Sequence, residues 1–418
     1  MSGERLEIAV VGAGVSGLVT ALRLAERHQV TLFEAEDYPG GHVHTIRVEA
    51  EDGVHSVDTG FIVFNREDYP RFTRLLDELD IASQPSGMSF GVRCDASGIE
   101  WCGARSVNRI FGQRRNLLRP AFYRMLADII RFARDARALS SDPTGTIGGF
   151  LCAKGYSRAF RELYLLPLGS ALWSCSEHDF ATFPLSFVVE FLDRHHLLDP
   201  VAARPLWRTV SGGSRSYVDA LLARFRGDLH LATPVKRIRR ETNRVHLAAD
   251  AGASLEFDEV VLACHADQAL NMLADPTQIE TAILSAFPGT ENEAVLHTDT
   301  RVLARNRRCW GAWNVRRRGD NMDRVAVTYN MNILQRLGTR ETYCVSLNET
   351  GIAPDKIIKR MRYRHTRFTL ARQAAQARRN ELLRANRTSF CGAYWGFGFH
   401  EDGVESAQAV LAAFGLPA

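Results

Sequence analysis

The architecture of this chain follows from the residues Ile8-Ala9-Val10-Val11-Gly12-Ala13-Gly14-Val15-Ser16-Gly17. An apolar strand enters a tight glycine turn, and a helix leaves it. In this spacing Gly12 permits the turn, Gly14 lets the backbone approach a pyrophosphate, and Gly17 lets the helix pack closely on the strand. The helix N-terminus offers unpaired N–H groups and a positive dipole end to phosphates. The segment therefore predicts a dinucleotide-binding unit.

An acid ends the next predicted strand, Val30-Thr31-Leu32-Phe33-Glu34. A carboxylate at this distance from the glycine turn accepts hydrogen bonds from both ribose hydroxyls of the adenosine. Because Glu34 would repel a 2′-phosphate, NADP is disfavoured at this site.

A second glycine pair, Gly40-Gly41, follows the acidic strand and is succeeded by His42-Val43-His44-Thr45. Such a pair is typical of FAD proteins of the glutathione-reductase type, in which a second loop passes close to the cofactor and side chains would obstruct it. NAD dehydrogenases do not need this loop. The alternative interpretation is an ordinary surface turn after Pro39.

Two further segments favour FAD. Residues 58–63 read as a strand with Gly60 where the edge of the isoalloxazine would lie. Near the C-terminus, a strand over 388–393 leads through an aromatic loop to a helix that Glu401-Asp402-Gly403 opens and that ends at about Phe414. A helix N-terminus aimed at flavin O2 and N1 would stabilise the anionic reduced flavin. The alternative is a helix that only caps the first domain.

The composition is that of an ordinary globular protein: 418 residues, 45% hydrophobic and 24% charged, which predicts more than one domain. We expect no signal peptide, because no basic, apolar and small-residue stretch lies before the first strand at about Leu6. No apolar run approaches the ~20 residues of a membrane span. Eight scattered cysteines without C-x-x-C spacing indicate a reducing compartment, so we expect a cytoplasmic protein. Neither the cysteines nor the thirteen histidines have metal-ligand spacing, and we expect no metal.

The predicted fold class is α/β, with a Rossmann-like FAD-binding domain of the glutathione-reductase type and an interleaved α+β substrate domain. The FAD-binding domain is expected to be discontinuous, over residues 1–66, 206–270 and 386–418. Its middle part contains the strand of Pro234-Val235, where such flavoproteins hold the adenine. Residues 67–205, which look helical, and residues 271–385, which alternate strands and helices, form the substrate domain.

A basic segment over 105–137 contains nine arginines and two acids. Its apolar positions follow the spacing of an amphipathic helix; they are Phe122, Met125, Leu126, Ile129, Ile130 and Ala133. One interpretation is a helix that lies on the inner face of an anionic membrane and loads a lipid substrate. The other is a core-packed helix with a solvated basic face. No nucleic-acid-binding module accompanies the arginines, so nucleic acid is not an expected partner.

These motifs resemble the FAD-dependent amine oxidase and phytoene desaturase superfamily over nearly the whole chain. More closely, the chain is similar to a bacterial group of predicted NAD/FAD-binding proteins that is often related to genes for cyclopropane fatty acid synthases. The resemblance is carried by the segments 40–45, 58–65, 113–117, 164–169, 207–214, 264–268 and 396–403. Two positions depart from the superfamily pattern: most members have arginine where this chain has His42, and many have an acid where it has Tyr394.

The resemblance implies a non-covalently bound FAD held by residues spread along the whole chain. The implied contacts are Gly12, Gly14 and Gly17 at the pyrophosphate, Glu34 at the ribose, Gly40, Gly41 and His42 beside the phosphates and ribityl, Gly60 and Phe61 at the flavin, Val235 at the adenine, and Gly392, Glu401, Asp402 and Val404 towards the ribityl and pyrimidine end.

The candidate catalytic residues are His400, His44, Tyr394 and Trp395, with His265, His297 and Phe397 as further substrate-side candidates. A histidine can act as general acid or base near neutral pH, although a structural role is the alternative for each one. Monoamine-type oxidases usually place a lysine near flavin N5, and this chain has no lysine between Asn271 and Asp355.

Three functions stay open on the sequence. The first is dehydrogenation or isomerisation of a lipid-like substrate, such as a modified fatty acyl chain, by hydride transfer to flavin N5. The second is an amine or amino-acid oxidase that releases hydrogen peroxide. The third is a non-catalytic FAD-binding subunit of a lipid-modifying complex. The oligomeric state is not indicated.

Overall fold

A computed structural model describes residues 5–104, 106–139, 145–198, 205–249, 254–319, 326–369 and 371–417. Within these ranges the strands are β1 (Glu7–Val11), β2 (Gln29–Phe33), β3 (Thr45–Ala50), β4 (Gly53–Asp58), β5 (Ser83–Pro85), β6 (Phe90–Cys94), β7 (Ile99–Gly103), β8 (Arg208–Val210), β9 (Asp228–His230), β10 (Val235–Arg240), β11 (Val245–Ala249), β12 (Ser254–Phe257), β13 (Glu259–Leu262), β14 (Gly289–His297), β15 (Trp313–Arg317), β16 (Ala326–Asn330), β17 (Cys344–Leu347), β18 (Ile357–Thr366) and β19 (Thr388–Phe390).

The α-helices of the same ranges are α1 (Val15–Leu24), α2 (Pro70–Glu78), α3 (Val107–Ile110), α4 (Pro120–Arg137), α5 (Ile147–Ala153), α6 (Arg158–Phe160), α7 (Leu166–Trp173), α8 (Glu177–Ala181), α9 (Leu185–Arg194), α10 (Arg215–Arg224), α11 (Ala266–Met272), α12 (Gln278–Leu284), α13 (Met331–Leu334), α14 (Ala371–Ala377) and α15 (His400–Ala413). A π-helical turn, Arg161–Leu165, connects α6 to α7.

One of the two main sheets is a five-stranded parallel sheet with the order β19-β13-β1-β2-β9, and its strands come from both ends of the chain. Side chains alternate across a strand, and β1 shows the consequence. Ile8 and Val10 pack with residues of α1 and α15, whereas Ala9 and Val11 pack with the three-stranded sheet β10-β11-β12. The central strands β1 and β13 and the edge strand β19 are buried between these two layers, whereas the edge strand β9 is largely exposed. The carboxyl ends of the parallel strands meet at one edge.

A seven-stranded sheet with the order β18-β14-β17-β16-β15-β6-β7 is the second main sheet. It corrects the expectation that residues 67–205 are helical, because β5, β6 and β7 lie in that segment. β6 and β7 are buried on both faces, but their sequences still alternate, with Phe90, Val92 and Cys94 apolar in β6. The strand signal was therefore present over five residues in each strand and was missed. β6 also pairs in parallel with β15, which is distant along the chain.

The strand expected over residues 58–63 ends earlier, because β4 ends at Asp58. The chain turns there: the Phe61 N–H donates to the His42 carbonyl (2.8 Å), and a Cβ at Gly60 would lie 2.2 Å from the same oxygen. Residues 59–63 thus pack on the loop of the second glycine pair.

Helices α4 to α9 enclose a second hydrophobic core beside β6 and β7. The amphipathic pattern of α4 predicted its buried face, which includes Phe122, Met125 and Ala133, but Ile130 is 63% exposed. In the described ranges no helix has the length and apolar character needed to cross a membrane.

Candidate cofactor and substrate site

The three glycines of the turn after β1 have different surroundings. Gly12 and Gly17 leave no room for a side chain, whereas Gly14 faces open space. Gly12 has φ +106°, and a Cβ there would lie 2.8 Å from the Ala263 carbonyl oxygen. A Cβ at Gly17 would lie 1.8 Å from the Gly12 oxygen. A Cβ at Gly14 would meet nothing within 4 Å. The open space at Gly14, beside the N-terminus of α1, fits a diphosphate that approaches the backbone.

Glu34 lies at the carboxyl end of β2 and is partly exposed. Its Oε2 accepts the Ala13 N–H (2.7 Å) and its Oε1 accepts the Glu36 N–H (3.0 Å). These bonds fix the carboxylate against the glycine turn. Since each carboxylate oxygen can accept more than one hydrogen bond, the anchored group can still accept from a ribose.

The second glycine pair packs directly on the first turn. The Gly40 N–H donates to the Ala13 carbonyl (2.8 Å), and Gly40 forms a parallel bridge with Gly14. Gly40 and Gly41 have φ of +118° and +59°, and a Cβ at Gly41 would lie 3.4 Å from the Gly14 Cα. Two backbone loops without side chains therefore line one cradle, as a flavin dinucleotide requires.

A buried carboxylate that the sequence interpretation did not single out holds this region together. Asp58 accepts hydrogen bonds from the Ser214 N–H (2.9 Å), the Thr45 Oγ1 (2.5 Å) and the Gln335 Nε2 (3.0 Å). Burial raises the pKa of Asp58 to about 6. The carboxylate joins β4 to the start of α10, and so positions Gly60 and Phe61.

The Phe61 ring stacks on the His400 ring with 3.6 Å between the ring centroids. His400 is the first residue of α15, and its Nε2 lies 3.0 Å from the Tyr217 hydroxyl. The structure therefore brings two sequence-predicted residues, Phe61 and His400, into direct contact at a helix N-terminus.

Three more histidines converge beside the second glycine pair. The His42 ring centroid is 6.1 Å from that of His265 and 5.2 Å from those of His365 and Tyr363. His365 was missed by the sequence analysis. The alternation Arg360-Met361-Arg362-Tyr363-Arg364-His365 could have predicted it, because a strand with that pattern turns Met361, Tyr363 and His365 to one face.

These histidines are neutral at pH 7. Burial is the main cause that lowers the pKa of His42 and His265 to about 4, and of His365 and His400 to about 3. By accessible surface, the four residues are of intermediate burial. The cluster can accept or donate a hydrogen bond without adding charge.

His44 has a different environment from the other candidates. It stacks on Tyr38 with 4.0 Å between centroids, and its Nδ1 lies 3.0 Å from the Tyr363 hydroxyl. Burial, together with the nearby positive charges of Lys359 and Arg215, lowers the pKa of His44 to about 4. Tyr363 also bonds the Thr59 hydroxyl (2.6 Å), so His44 is linked through it to the residues next to Gly60.

Glu401 and Asp402 have structural partners at the start of α15. The Glu401 carboxylate accepts the backbone N–H groups of Arg71 (3.1 Å) and Phe72 (2.9 Å), which ties α15 to α2. Asp402 accepts the Phe399 N–H (2.7 Å), and burial raises the pKa of Asp402 to about 6. Because both carboxylates have protein partners, the groups of α15 that can bind a ligand are the backbone N–H groups of its first turn.

The remaining predicted positions are buried. Val235 and Val404 lie in the hydrophobic cores on opposite faces of the parallel sheet. The Gly392 N–H donates to the Ser406 hydroxyl (2.8 Å), which fixes the end of β19 to α15.

The other aromatic and histidine candidates lie in separate parts of the fold, and all except Phe397 are buried. Tyr394 and Trp395 are 2% and 7% exposed, and both rings pack against Phe287. His297 is fully buried within the seven-stranded sheet, where its Nε2 lies 2.8 Å from the Ser346 hydroxyl. Phe397, in contrast, is partly exposed and contacts α9.

In the part of the chain that the structure describes, no group of three or more His, Cys, Asp or Glu side chains is placed to hold a metal ion.

Comparison with solved structures finds likenesses that extend over almost the full chain. A CLA-producing fatty acid isomerase from P. acnes matches with a TM-score of 0.68 at 14% identity, covering 99% of both chains. A putative protoporphyrinogen oxidase from Exiguobacterium sp. 255-15 matches with a TM-score of 0.68 at 16% identity, covering 98% of both chains. Cyclohexylamine oxidase from Brevibacterium oxydans IH-35A matches with a TM-score of 0.68 at 15% identity, also covering 98% of both. At these identities the likenesses show the fold.

The family model of the flavin containing amine oxidoreductases matches residues 15–320, which is most of the chain. The glycine cradle described above agrees with the FAD that this family uses. The chain therefore belongs to the flavin containing amine oxidoreductase family, and it is an FAD-dependent oxidoreductase.

Proposed function

We propose that this protein dehydrogenates or isomerises a carbon–carbon bond of a lipid-like substrate such as a modified fatty acyl chain. FAD, when bound, supplies the hydride acceptor for either reaction. The protein's own part is to hold the cofactor, orient an apolar chain and exclude water. An amine oxidase reaction is the competing assignment.

The proposed cofactor contacts follow the geometry of the cradle. Gly12, Gly14 and Gly17 hold the diphosphate with Gly40 and Gly41, and Glu34 binds the ribose. His42, Gly60 and Phe61 lie along the ribityl and flavin, Val235 contacts the adenine, and the first turn of α15 faces the pyrimidine end through backbone N–H groups. Gly392, Glu401, Asp402 and Val404 support that turn. The binding is proposed to be non-covalent.

The observation that carries the substrate assignment is an apolar wall beside the start of α15. Phe397 and Phe399, in the loop that precedes His400, contact Phe191 of α9 with centroid separations of 5.6 and 5.5 Å. Phe187 of the same helix lies 5.2 Å from Phe397 and 4.7 Å from Phe368. Four of these five rings, all except Phe191, are partly exposed. A wall of this kind suits a hydrocarbon chain, whose binding depends on removing apolar surface from water.

The same helix leads away from the wall to a narrow apolar cavity. Leu192, next to Phe191 on α9, lines this cavity together with Ile129 and Phe132 of α4. Its other lining residues are Ala133, Tyr164, Leu165, Leu168, Leu197 and Leu198. The cavity has a volume of about 30 Å³, which is the space of about one water molecule. An acyl chain that starts at the aromatic wall would therefore have to part the side chains along this path between α4 and α9.

The competing assignment has weaker support from the residues. The sequence has no lysine between Asn271 and Asp355, and β14 instead has Asn292, whose Nδ2 lies 2.9 Å from the His365 Nδ1. Tyr394 and Trp395, which could have formed an aromatic cage for an amine, pack against Phe287. Among the similar folds, one protein is a fatty acid isomerase and others are cyclohexylamine oxidase and putrescine oxidase, so the folds favour neither assignment.

We propose His400 as the residue nearest to the reacting bond, with His44 as a second candidate. His400 is neutral at pH 7, so its imidazole can accept a proton that the substrate loses while the cofactor takes the hydride. The burial that lowers its pKa to about 3 also makes it a weak base. Tyr217 orients the ring through the 3.0 Å contact. We propose for Tyr394 and Trp395 only a packing role, in which they support the loop before His400.

Several finer expectations accompany this proposal. They are the glutathione-reductase-type topology of the FAD domain, the domain boundaries at 66, 205, 270 and 385, the link to cyclopropane fatty acid synthases, and peripheral contact with a membrane. The strands of the parallel sheet all fall inside the three segments proposed for the FAD domain, which supports those boundaries.

The proposal is tested with FAD-loaded protein, acyl phospholipids and an artificial electron acceptor under anaerobic conditions, followed by mass spectrometry of the released acyl chains. We expect a new double bond or a displaced one. In Phe397→Gln, a polar group in the wall should raise the KM for the lipid about tenfold. The matched control Phe225→Gln changes a partly exposed phenylalanine of the parallel-sheet half and should leave KM unchanged. Unaltered acyl chains, with an amine converted to its imine as the flavin is reduced, would support the competing assignment.

A further inference from the structure

Exposed apolar side chains concentrate on one segment of this molecule. Of the ten large hydrophobic side chains that are exposed in the described ranges, five lie between Val107 and Ile130. They are Val107 (70% exposed), Leu117 (46%), Leu118 (87%), Tyr123 (46%) and Ile130 (63%). Single exposed apolar residues are normal on a protein surface, but a cluster marks an interaction site.

The outer face of α4 contributes two members of this cluster. Tyr123 and Ile130 are seven residues apart and thus lie on one side of the helix, where Arg134 also points. The opposite side, with Phe122 and Phe132, is buried in the core. Helix α4 therefore presents apolar and arginine side chains outward, in addition to its buried apolar face.

The turn before α4 presents Leu117 and Leu118 from a fixed backbone. Asn116 is fully buried, and its Nδ2 donates to the Glu100 carbonyl (2.9 Å). The Tyr123 hydroxyl donates to the Leu117 carbonyl (3.1 Å), and the Tyr123 ring contacts Phe111. The leucines are thus held outward by contacts on both sides of them.

The charge around these side chains is one-sided. From Arg109 to Arg137 the chain has eight arginines and two acids, which is more positive charge than the net +4 of the whole sequence. The two acids are less exposed than the arginines they pair with. Asp128 is 2% exposed, accepts the Ser157 N–H and lies 3.7 Å from Arg124. Asp135 is 16% exposed, accepts the Tyr156 hydroxyl and pairs with Arg134 at 3.2 Å. Arg124 and Arg134 are 62% and 76% exposed.

We propose that this surface docks on an anionic phospholipid bilayer. The five apolar side chains insert at the boundary between headgroups and acyl chains, and the arginines bind the lipid phosphates. A protein partner would have to match apolar residues surrounded by arginines and lacking acids, whereas an anionic bilayer matches both features at once. We name the set Val107, Leu117, Leu118, Tyr123 and Ile130, with its arginines, the docking surface.

The docking surface lies on the same helix as the narrow apolar cavity. Ile129 and Phe132 of α4 line that cavity. Ile129 is next to Ile130, and Phe132 lies two residues before Arg134. An acyl chain that leaves the bilayer at α4 is then next to the path towards Phe191. The transfer of an acyl chain from the bilayer to the site rests on the proposed function, but the docking on the bilayer does not.

The test is co-sedimentation of the FAD-loaded protein with vesicles of phosphatidylcholine alone and of phosphatidylcholine with an equal part of phosphatidylglycerol. We expect binding to the anionic vesicles that weakens as salt rises. The variant Leu118→Glu/Ile130→Glu should reduce the partition coefficient about tenfold or more. The matched control Ile279→Glu changes an exposed isoleucine of α12 and should bind like the wild type.

A second pair of variants isolates the charge. Arg134→Glu should weaken binding, whereas Arg239→Glu, on the exposed face of β10, should not. Absence of binding to the anionic vesicles, or equal losses in test and control variants, would overturn the proposal. So would a dimer in sedimentation velocity that Leu118→Glu dissociates, since the surface would then bind a second copy. Turnover of detergent-dispersed lipid by the non-binding variant separates failed docking from a wrong catalytic assignment.

Discussion

The Tyr217 hydroxyl and the His400 Nε2 are 3.0 Å apart, and this contact joins α10 to the first residue of α15. Phe61 stacks on the same imidazole from the loop after β4. Three segments that are far apart in the sequence thus fix the position and plane of one ring. Such restraint is expected of a group that must meet a substrate in one orientation.

The first prediction concerns His400. His400→Gln should retain FAD, because the cradle at Gly12 to Gly17 is untouched, but should lower kcat about 10²-fold or more through loss of the proton acceptor. Tyr217→Phe should lower kcat less, because the ring keeps its stacking on Phe61. The measurements are the visible flavin spectrum and steady-state turnover of the lipid substrate.

The control for this prediction is His55→Gln, in the hairpin of β3 and β4, which should change neither quantity. If His400→Gln turns over at the wild-type rate, His400 is not the proton acceptor. His44→Gln then becomes the variant to measure, because His44 is linked to the same region through Tyr363.

The second prediction separates Gly14 from Gly17. In Gly14→Ala the added methyl meets open space, so the melting temperature of the FAD-free protein should stay the same while FAD affinity falls at least about tenfold, because the methyl occupies the path of the diphosphate. In Gly17→Ala the methyl meets the Gly12 oxygen at 1.8 Å, so both stability and affinity should fall. Flavin fluorescence titration and thermal unfolding measure the two effects. Unchanged FAD affinity in Gly14→Ala would place the diphosphate elsewhere.

The third prediction concerns Glu401. Its carboxylate accepts two backbone N–H groups at the start of α2, so Glu401→Ala leaves them without partners and should cost about 1–3 kcal/mol of unfolding free energy. FAD affinity should change little, because the contribution of this position to the cofactor is through the helix backbone. Chemical denaturation and flavin titration check the pair. A large loss of affinity with normal stability would assign the carboxylate to the cofactor instead.

The fourth prediction is a pH dependence of stability. In the folded protein burial lowers the pKa of His365 to about 3 from an ordinary value of 6.5. Below pH 6.5 the unfolded chain therefore binds a proton that the folded chain does not, and stability is lost as the pH falls. His42, His265 and His400 act in the same direction.

The variant His365→Gln should make this loss less steep, by up to about 1.4 kcal/mol per pH unit between pH 6 and pH 4.5. The measurement is unfolding of the FAD-free protein in urea across that range. His230→Gln, which removes an exposed histidine, is the control and should leave the slope unchanged. Equal slopes in wild type and His365→Gln would mean that His365 is protonated in the folded protein.

The cofactor half of the site could be predicted from the sequence because its parts are local. Gly12, Gly14 and Gly17 act within one turn, and the start of α15 at His400 lies one residue before the predicted helix start. Their spacing and residue types alone indicate their chemistry.

The rest of the site depends on contacts between distant segments. His365 lies beside His42 only because β18 pairs with β14, and β6 joins its sheet only by pairing with β15. Likewise, the outward position of Ile130 depends on which side of α4 the core occupies, which the apolar spacing left open. The residue pattern can signal a strand and its inward face, as it does in β18, but it does not show with which distant strand that strand pairs.

The most direct test of the central claim is an anaerobic titration of the FAD-loaded protein, followed by its visible spectrum, with acyl phospholipid and then with amines. The account predicts that the phospholipid bleaches the flavin absorption, or is isomerised while the spectrum stays oxidised, and that amines leave both spectrum and amine unchanged. Bleaching by an amine, with no change in the spectrum or in the acyl chains of the phospholipid, would contradict it.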